Sequence, residues 1–275
     1  MRLKSNCYRL HDEDEEYFLK TYEKAYVLKK VKAIHEALCA EGFPYVHPAI
    51  IDLNKGHFRQ RWVEGTVANY RSASHRKQVY EMLKALHATN KQIDWQSKGF
   101  SILNLKKKWR ARLAKFQLCE PSIRPFLQQD FDLICHWAEE ALSEMEPIYS
   151  EEQPTLLHGD VVHHNFFVGE EPLMIDFDLA IVGPAIYEEM MFVQRVLPMI
   201  RYDWLQLLQE LPALRKLEPY SAYLRFPNEL LREWCYFAMG DEAQRGKLYF
   251  YVRNLTSEAK RYRSSFLHQL QISNP

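Results

Sequence analysis

The sequence predicts an α+β protein of two lobes, a small strand-rich lobe over residues 1–65 and a larger, mostly helical lobe over residues 66–275. Three observations carry this expectation. The first 65 residues hold three aromatic or β-branched runs around one helical pattern. Beyond Gly65 the apolar residues recur at intervals of three and four. The chain of 275 residues is 47% hydrophobic, which is enough apolar material for a sizeable core.

Tyr17-Phe18-Leu19-Lys20-Thr21-Tyr22 has the composition of a strand. Residues 23–40 follow as a helix, because Val27, Val31, Ile34 and Leu38 fall on one face. Gly42 ends it, and Pro44 and Pro48 come after. Residues 49–53 read as a second strand, Asn54-Lys55-Gly56 as a turn and residues 57–63 as the partner strand. The order is strand, helix, strand, strand. After Gly65, Val79, Met82, Leu83 and Leu86 define a helix ending near His87. Leu127, Phe131, Ile134, Ala138, Leu142 and Met145 define one longer helix before Pro147. From Ala185 to about Gln269 the pattern is again helical, and Tyr249, Phe250, Tyr251, Tyr262 and Phe266 are expected to pack inside. The basic run at 106–112 reads as a solvated helix face. There is no internal repeat and no low-complexity linker.

Composition excludes several classes. The 36 Lys+Arg balance the 36 Asp+Glu, which argues against a dedicated nucleic-acid binder and against a disordered polyelectrolyte. Cys7, Cys39, Cys119, Cys135 and Cys235 are scattered with no C-x-x-C pair, so reduced thiols are expected. No apolar run reaches about 18 residues, and the N-terminal residues hold no signal-peptide pattern. A soluble, cytoplasmic protein with no membrane partner is expected. Charge is uneven, however: residues 125–194 contain 15 Asp+Glu and no Lys or Arg.

That acidic segment contains the strongest motif, Leu156-Leu157-His158-Gly159-Asp160-Val161-Val162-His163-His164-Asn165-Phe166-Phe167-Val168, followed by Leu173-Met174-Ile175-Asp176-Phe177-Asp178. The residue types suit phosphoryl transfer. One carboxylate must orient a substrate hydroxyl and accept its proton, while an amide oxygen and a second carboxylate hold Mg²⁺ against nucleotide phosphates. Mg²⁺ is hard and prefers such oxygen ligands. An apolar hairpin after the loop could bring Asp160, Asn165 and Asp176 together. The competing structural reading is a hairpin capped by Asp and Asn. His163 and His164 suggest zinc, but only His158 is nearby and no cysteine is close, so they read as loop histidines on the substrate side.

The pattern His-Gly-Asp-x-x-x-x-Asn with a later Ile-Asp-Phe-Asp resembles the aminoglycoside phosphotransferase and choline kinase superfamily, distant relatives of protein kinases. Its detail looks most like the spore-coat-associated kinase-like branch. The resemblance implies a bilobal protein-kinase-like fold, with residues 1–65 as the nucleotide-binding lobe and 66–275 as the catalytic and substrate lobe. It implies Asp160 as catalytic base, Asn165 and Asp176 as Mg²⁺ ligands, with Asp178 supporting or sharing the metal, and His158 as a structural residue. Lys20 matches the lysine that contacts ATP phosphates, and Glu36 the glutamate that positions it. Trp62 and Val63 sit where the family's hinge offers backbone groups to adenine.

One departure concerns the nucleotide cap. No glycine precedes Lys20, and His11-Asp12-Glu13-Asp14-Glu15-Glu16 stands where a phosphate cradle is expected, so its carboxylates would repel phosphates there. The expected function is an ATP- and Mg²⁺-dependent phosphotransferase acting on the hydroxyl of a small molecule. The acidic stretch favours a cationic or polyhydroxy acceptor. The rival is a catalytically weak or inactive kinase-like scaffold of the spore-coat type, and protein kinase activity is a distant third.

Overall fold

The structure is a computed structural model and describes residues 1–4, 6–12, 15–148 and 153–273. By packing, the chain divides into two compact units, Met1–Ile102 with Gln153–Ala185, and Leu103–Glu152 with Ile186–Pro275. The first unit contains strands β1 (Arg2–Lys4), β2 (Cys7–Asp12) and β3 (Glu15–Thr21), helix α1 (Ala25–Ala40), strands β4 (Ala49–Asp52), β5 (His57–Arg61) and β6 (Thr66–Val67), helix α2 (Ala73–Ala88), and strands β7 (Thr155–Leu157), β8 (Phe166–Val168), β9 (Leu173–Met174) and β10 (Ile181–Gly183). The expected strand, helix, strand, strand order is thus β3, α1, β4, β5.

The sheet extends beyond that expectation. β1 and β2 precede β3, giving an antiparallel sheet in the order β1-β2-β3-β5-β4. β2 escapes a composition-based reading because its turn to β3 has no glycine or proline. The register runs from Cys7 opposite Lys20 to Asp12 opposite Glu15. The acidic run therefore lies at the far end of the β2–β3 hairpin. Glu15 is about 17 Å from Lys20 along an extended strand. Glu13 and Asp14 lie outside the described residues. Nearer that end, Glu16 is engaged by Arg9 and by His11 at 2.9 Å. Strand register thus separates Glu15 and Glu16 from Lys20. The segment that register puts beside Lys20 is the short connection from β1 to β2, where Asn6 accepts from the Thr21 amide at 2.9 Å.

α1 packs its apolar stripe on the sheet. Leu28 and Val31 bury against Phe58, with Phe18, Tyr22, Val27, Ala49 and Ile51 around them. His35 is on the same inner face, edge-on to Phe58 and Phe177 at ring-centroid distances of 5.1 and 5.6 Å. Burial pushes its pKa down to about 4, against a backbone hydrogen bond at His47 that raises it. The folded-state value is depressed, so as pH falls below the ordinary value near 6.5 the unfolded chain takes the proton first and stability is lost. Between pH 7 and pH 5 the stability difference between wild type and His35→Gln should therefore shift by about 2 kcal/mol in favour of the variant, as read by urea unfolding. Parallel pH dependence of the two proteins would contradict this.

The second unit is helical: α3 (Leu105–Leu118), α4 (Glu120–Leu127), α5 (Gln129–Glu144), α6 (Ala185–Val196, starting at the unit boundary), α7 (Trp204–Glu210), α8 (Ser221–Arg225), α9 (Asn228–Met239) and α10 (Glu242–Ser273). Two expectations are corrected here. The single helix through Leu127 and Met145 is two helices, broken at Gln128, whose φ of 51° is left-handed and cannot continue a helix. The basic run is only partly a solvated face. Trp109 is fully buried and stacks on Phe226 at 4.8 Å, Lys106 donates to the Met145 carbonyl at 2.5 Å, and Arg112 donates to Asn228 at 2.6 Å. Lys107 and Arg110 alone in the run's first five residues are exposed. On α10, Phe266 is buried as expected, whereas Phe250 is 80% exposed.

Several carboxylates of the acidic segment pair with cations from outside it. Asp130 pairs with Lys260 at 2.6 Å, Asp132 with Arg124 at 2.7 Å, Glu189 with Lys216 at 2.9 Å, and Glu144 with Arg225. Among the described residues, no helix is long and apolar enough to cross a membrane.

Candidate functional site

The motif residues are assembled within the first unit by two short ladders. β7 pairs antiparallel with β10, with Leu157 opposite Ile181, so the strand entering His158 lies beside the strand leaving Asp178. β8 pairs with β9, with Phe166 opposite Met174, and the Ile175 amide extends this ladder by donating to the Asn165 carbonyl at 3.0 Å. Asn165 and Asp176 are therefore one step apart across a hairpin. The apolar residues Phe166, Val168, Leu173 and Met174 are buried and hold that register.

Between the ladders the loop is fixed by its own groups. His158 is fully buried and its Nε2 lies 2.9 Å from the Ile175 carbonyl. Its ring packs on Phe166 and Phe177 at 5.3 and 4.8 Å. This is the structural role expected of it. Gly159 has φ 79°, and a Cβ there would lie 2.0 Å from the Leu179 carbonyl oxygen. The buried Asn165 side chain donates through Nδ2 to the Asp160 carbonyl at 3.0 Å, which fixes the orientation of its amide. Asp160 itself is half-buried. Tyr70 donates to the Val161 carbonyl at 3.1 Å, and the buried Arg76 of α2 donates to the Tyr70 carbonyl at 2.7 Å. His163 and His164 are exposed, their rings 5.4 Å apart.

Lys20 is the link between the sheet and the loop. Its ammonium donates to Asp176 Oδ1 at 2.9 Å and to Asp178 Oδ2 at 2.7 Å. Tyr22, on the same strand face two residues on, donates to Asp178 Oδ1 at 2.7 Å. Asp176 has a left-handed φ of 66°, a conformation that Asp tolerates better than most residues. Burial pushes the Lys20 ammonium down, but the charges and hydrogen bonds of Asp176 and Asp178 outweigh it and leave the pKa raised. Burial likewise pushes Asp176 up, and Lys20, with smaller help from His158 and Asp178, brings it below the usual carboxylate range. Burial and the Asp178 carboxylate raise the Tyr22 phenol, keeping it a donor.

The expected Lys20–Glu36 pair is not formed. Glu36 is exposed on α1 and faces Lys32 at 3.7 Å. The reason is helical phase: at about 100° per residue, position 36 lies opposite the stripe of Val27, Val31, Ile34 and Leu38. From α1 it is Lys30 that reaches the loop, donating to the carbonyls of Asp178 and Ala180 at 2.7 and 2.9 Å. Trp62 and Val63 are half-buried in the coil that joins β5 to β6. The Trp62 amide donates to the Glu16 carbonyl at 2.8 Å, and its indole donates to Glu64 at 2.7 Å beneath the Arg9 guanidinium.

The donor set suits a hard divalent cation. Two carboxylates already share one positive group, the Lys20 ammonium, and Asn165, its amide held by the Asp160 carbonyl, is one ladder step from Asp176. Tyr22, Lys30, Tyr70 and Arg76 were not singled out by motif. Tyr22 could have been found from its two-residue spacing to Lys20, and Lys30 from its place at the margin of the α1 stripe.

Comparison with known proteins places the chain in a family and a fold. A family model described as "Phosphotransferase enzyme family" matches residues 4–227. Among solved structures, an aminoglycoside phosphotransferase from Alicyclobacillus acidocaldarius is similar at 15% identity with a TM-score of 0.63, over 98% of this chain and 92% of that one. Spectinomycin phosphotransferase in complex with ADP and spectinomycin is similar at 16% identity and a TM-score of 0.62, over 94% and 90%. Choline kinase from Streptococcus pneumoniae is similar at 13% identity and a TM-score of 0.57, over 94% and 92%. These likenesses establish the kinase-like fold. No curated protein sequence matches the chain at a significant level.

Proposed function

The chain belongs to the phosphotransferase enzyme family, and from that premise we propose that it is a cytoplasmic small-molecule kinase, moving the γ-phosphoryl group of Mg²⁺·ATP to an acceptor hydroxyl. The observation that carries this reading is the Lys20 ammonium set between Asp176 and Asp178, which joins residues 156 and 158 positions apart in the chain. A packing role alone gives no reason to gather a lysine, two carboxylates and an oriented amide beside a loop aspartate.

In this proposal Asp160 orients the acceptor hydroxyl and takes its proton as the acceptor oxygen bonds the γ-phosphorus and the bond to the leaving ADP oxygen breaks. Asn165, Asp176 and Asp178 would hold Mg²⁺, which would offset the charge of the phosphates. Lys20 then exchanges at least one carboxylate for phosphate oxygens. Residues 1–65 form the nucleotide lobe, with adenine met at the coil of residues 62–65. There Trp62 offers its carbonyl, its amide being held by Glu16, and Val63 offers backbone groups. Residues 66–275 supply the catalytic loop and the acceptor side. The similar structures include a spectinomycin phosphotransferase and a choline kinase, so polyhydroxy and cationic acceptors are the first to try.

The competing reading is a non-catalytic scaffold of the spore-coat type. Transfer of labelled γ-phosphate from Mg²⁺·ATP across a panel of aminoglycosides, aminocyclitols, choline and simple sugars decides between them. A labelled product supports the kinase. No turnover, together with no nucleotide binding at millimolar ATP, supports the scaffold.

A further inference from the structure

We propose that Lys30 is a positioning residue for the metal-binding loop, a role that rests on the kinase reading above. Phe177–Leu179 is a single 3-10 turn directly after Asp176. The Asp178 carbonyl of so short a turn has no donor within it, and the Ala180 carbonyl follows directly after the turn. The Lys30 ammonium meets both needs at once, donating to Asp178 O at 2.7 Å and Ala180 O at 2.9 Å. Its partners are main-chain atoms, so the bond fixes where the turn lies without using either carboxylate.

This division of labour has a chemical consequence. Lys20 binds the Asp176 and Asp178 side chains and must yield in part when a divalent cation takes them. Lys30 has no such conflict and can hold the turn before and after metal arrives. It also supplies what Glu36 does not, a polar link from α1 to the site. Burial pushes its pKa down while Asp178 opposes that shift. The side chain rises one turn from Val27, which packs against the cluster of Leu28, Val31 and Phe58 on the sheet.

The test is amide hydrogen exchange on the whole chain, followed by calorimetry. In Lys30→Met, peptides covering residues 176–182 should exchange about tenfold faster, with α2 peptides unchanged. Lys30→Arg, which keeps a cationic donor, should recover most of that protection. ATP should bind Lys30→Met about tenfold more weakly with Mg²⁺ and within about twofold of wild type in EDTA, since only the metal-dependent part uses the turn. If the methionine variant does not fold, Lys30→Gln gives the same comparison with one donor fewer. Unchanged exchange at 176–182, or equal loosening across the unit, overturns the proposal. Wild-type protein that binds no ATP overturns the kinase reading, while the exchange comparison still reports on Lys30.

Discussion

Asp160→Asn should lower phosphoryl transfer to an accepted hydroxyl by about a thousandfold, the scale lost when a positioned general base is removed. Asparagine has the same shape but cannot take the hydroxyl proton at neutral pH. The loop should survive the change, because the Asn165 side chain bonds to the main-chain oxygen of residue 160, which the variant retains. Binding of Mg²⁺·ATP should therefore stay within about twofold of wild type while kcat falls, the pattern of an interaction made in the transition state. Steady-state kinetics with an accepted substrate checks both parts. Activity of the variant within about tenfold of wild type would remove Asp160 from the base role, as would a loss confined to KM.

Gly159→Ala should destabilise the protein by about 3 kcal/mol or more, with activity lost alongside. Two costs coincide at this residue. Its φ of 79° is a conformation that costs an L-residue with a Cβ about 1–2 kcal/mol. The added methyl would also stand 2.0 Å from the Leu179 carbonyl oxygen, which belongs to the loop held by Lys20 and Lys30. The atoms met are backbone, directly before β10, so relief requires the main chain to shift. Gly42→Ala is the internal control: its φ is 66° and a Cβ there meets nothing within 4 Å, so only the conformational cost of about 1 kcal/mol applies. Urea denaturation of both variants measures the contrast. Equal stabilities for the two would show that the close approach at Leu179 is not a constraint.

The motif was readable because its chemistry is compact in sequence. Asp160, Asn165 and Asp176 lie on one loop and one hairpin, so local spacing implied their meeting, and the register from Phe166 opposite Met174 realises it. Lys20 was also legible as a lysine buried in a strand, but its partners were not. Motif matching put Glu36 beside it, although the Val27, Val31, Ile34 and Leu38 stripe already turns position 36 outward. The same stripe places Lys30 near the inner face, a signal that periodicity holds and motif matching ignores. The acidic run at 11–16 misled for a different reason. Its distance from Lys20 depends on strand pairing with β2, and β2 lacks the glycine or proline turn that marks a hairpin in sequence. Net charge hid a further point: the 15 carboxylates of residues 125–194 look like a field for a cationic acceptor, yet Asp130, Asp132, Glu144 and Glu189 are held in ion pairs. Asp176 and Asp178 are likewise paired, with Lys20. The break at Gln128 required a backbone conformation that composition does not announce.

Calorimetric titration of ATP into wild type and Asp176→Asn, each with Mg²⁺ and with EDTA, tests the central claim most directly, that Lys20, Asn165, Asp176 and Asp178 form a metal-nucleotide site. Wild type should bind Mg²⁺·ATP at least about tenfold more tightly than metal-free ATP, and Asp176→Asn should lose most of that difference, since a carboxylate ligand and its charge are removed together. Nucleotide binding that is indifferent to Mg²⁺ in wild type, or a metal effect left intact in Asp176→Asn, would contradict the account.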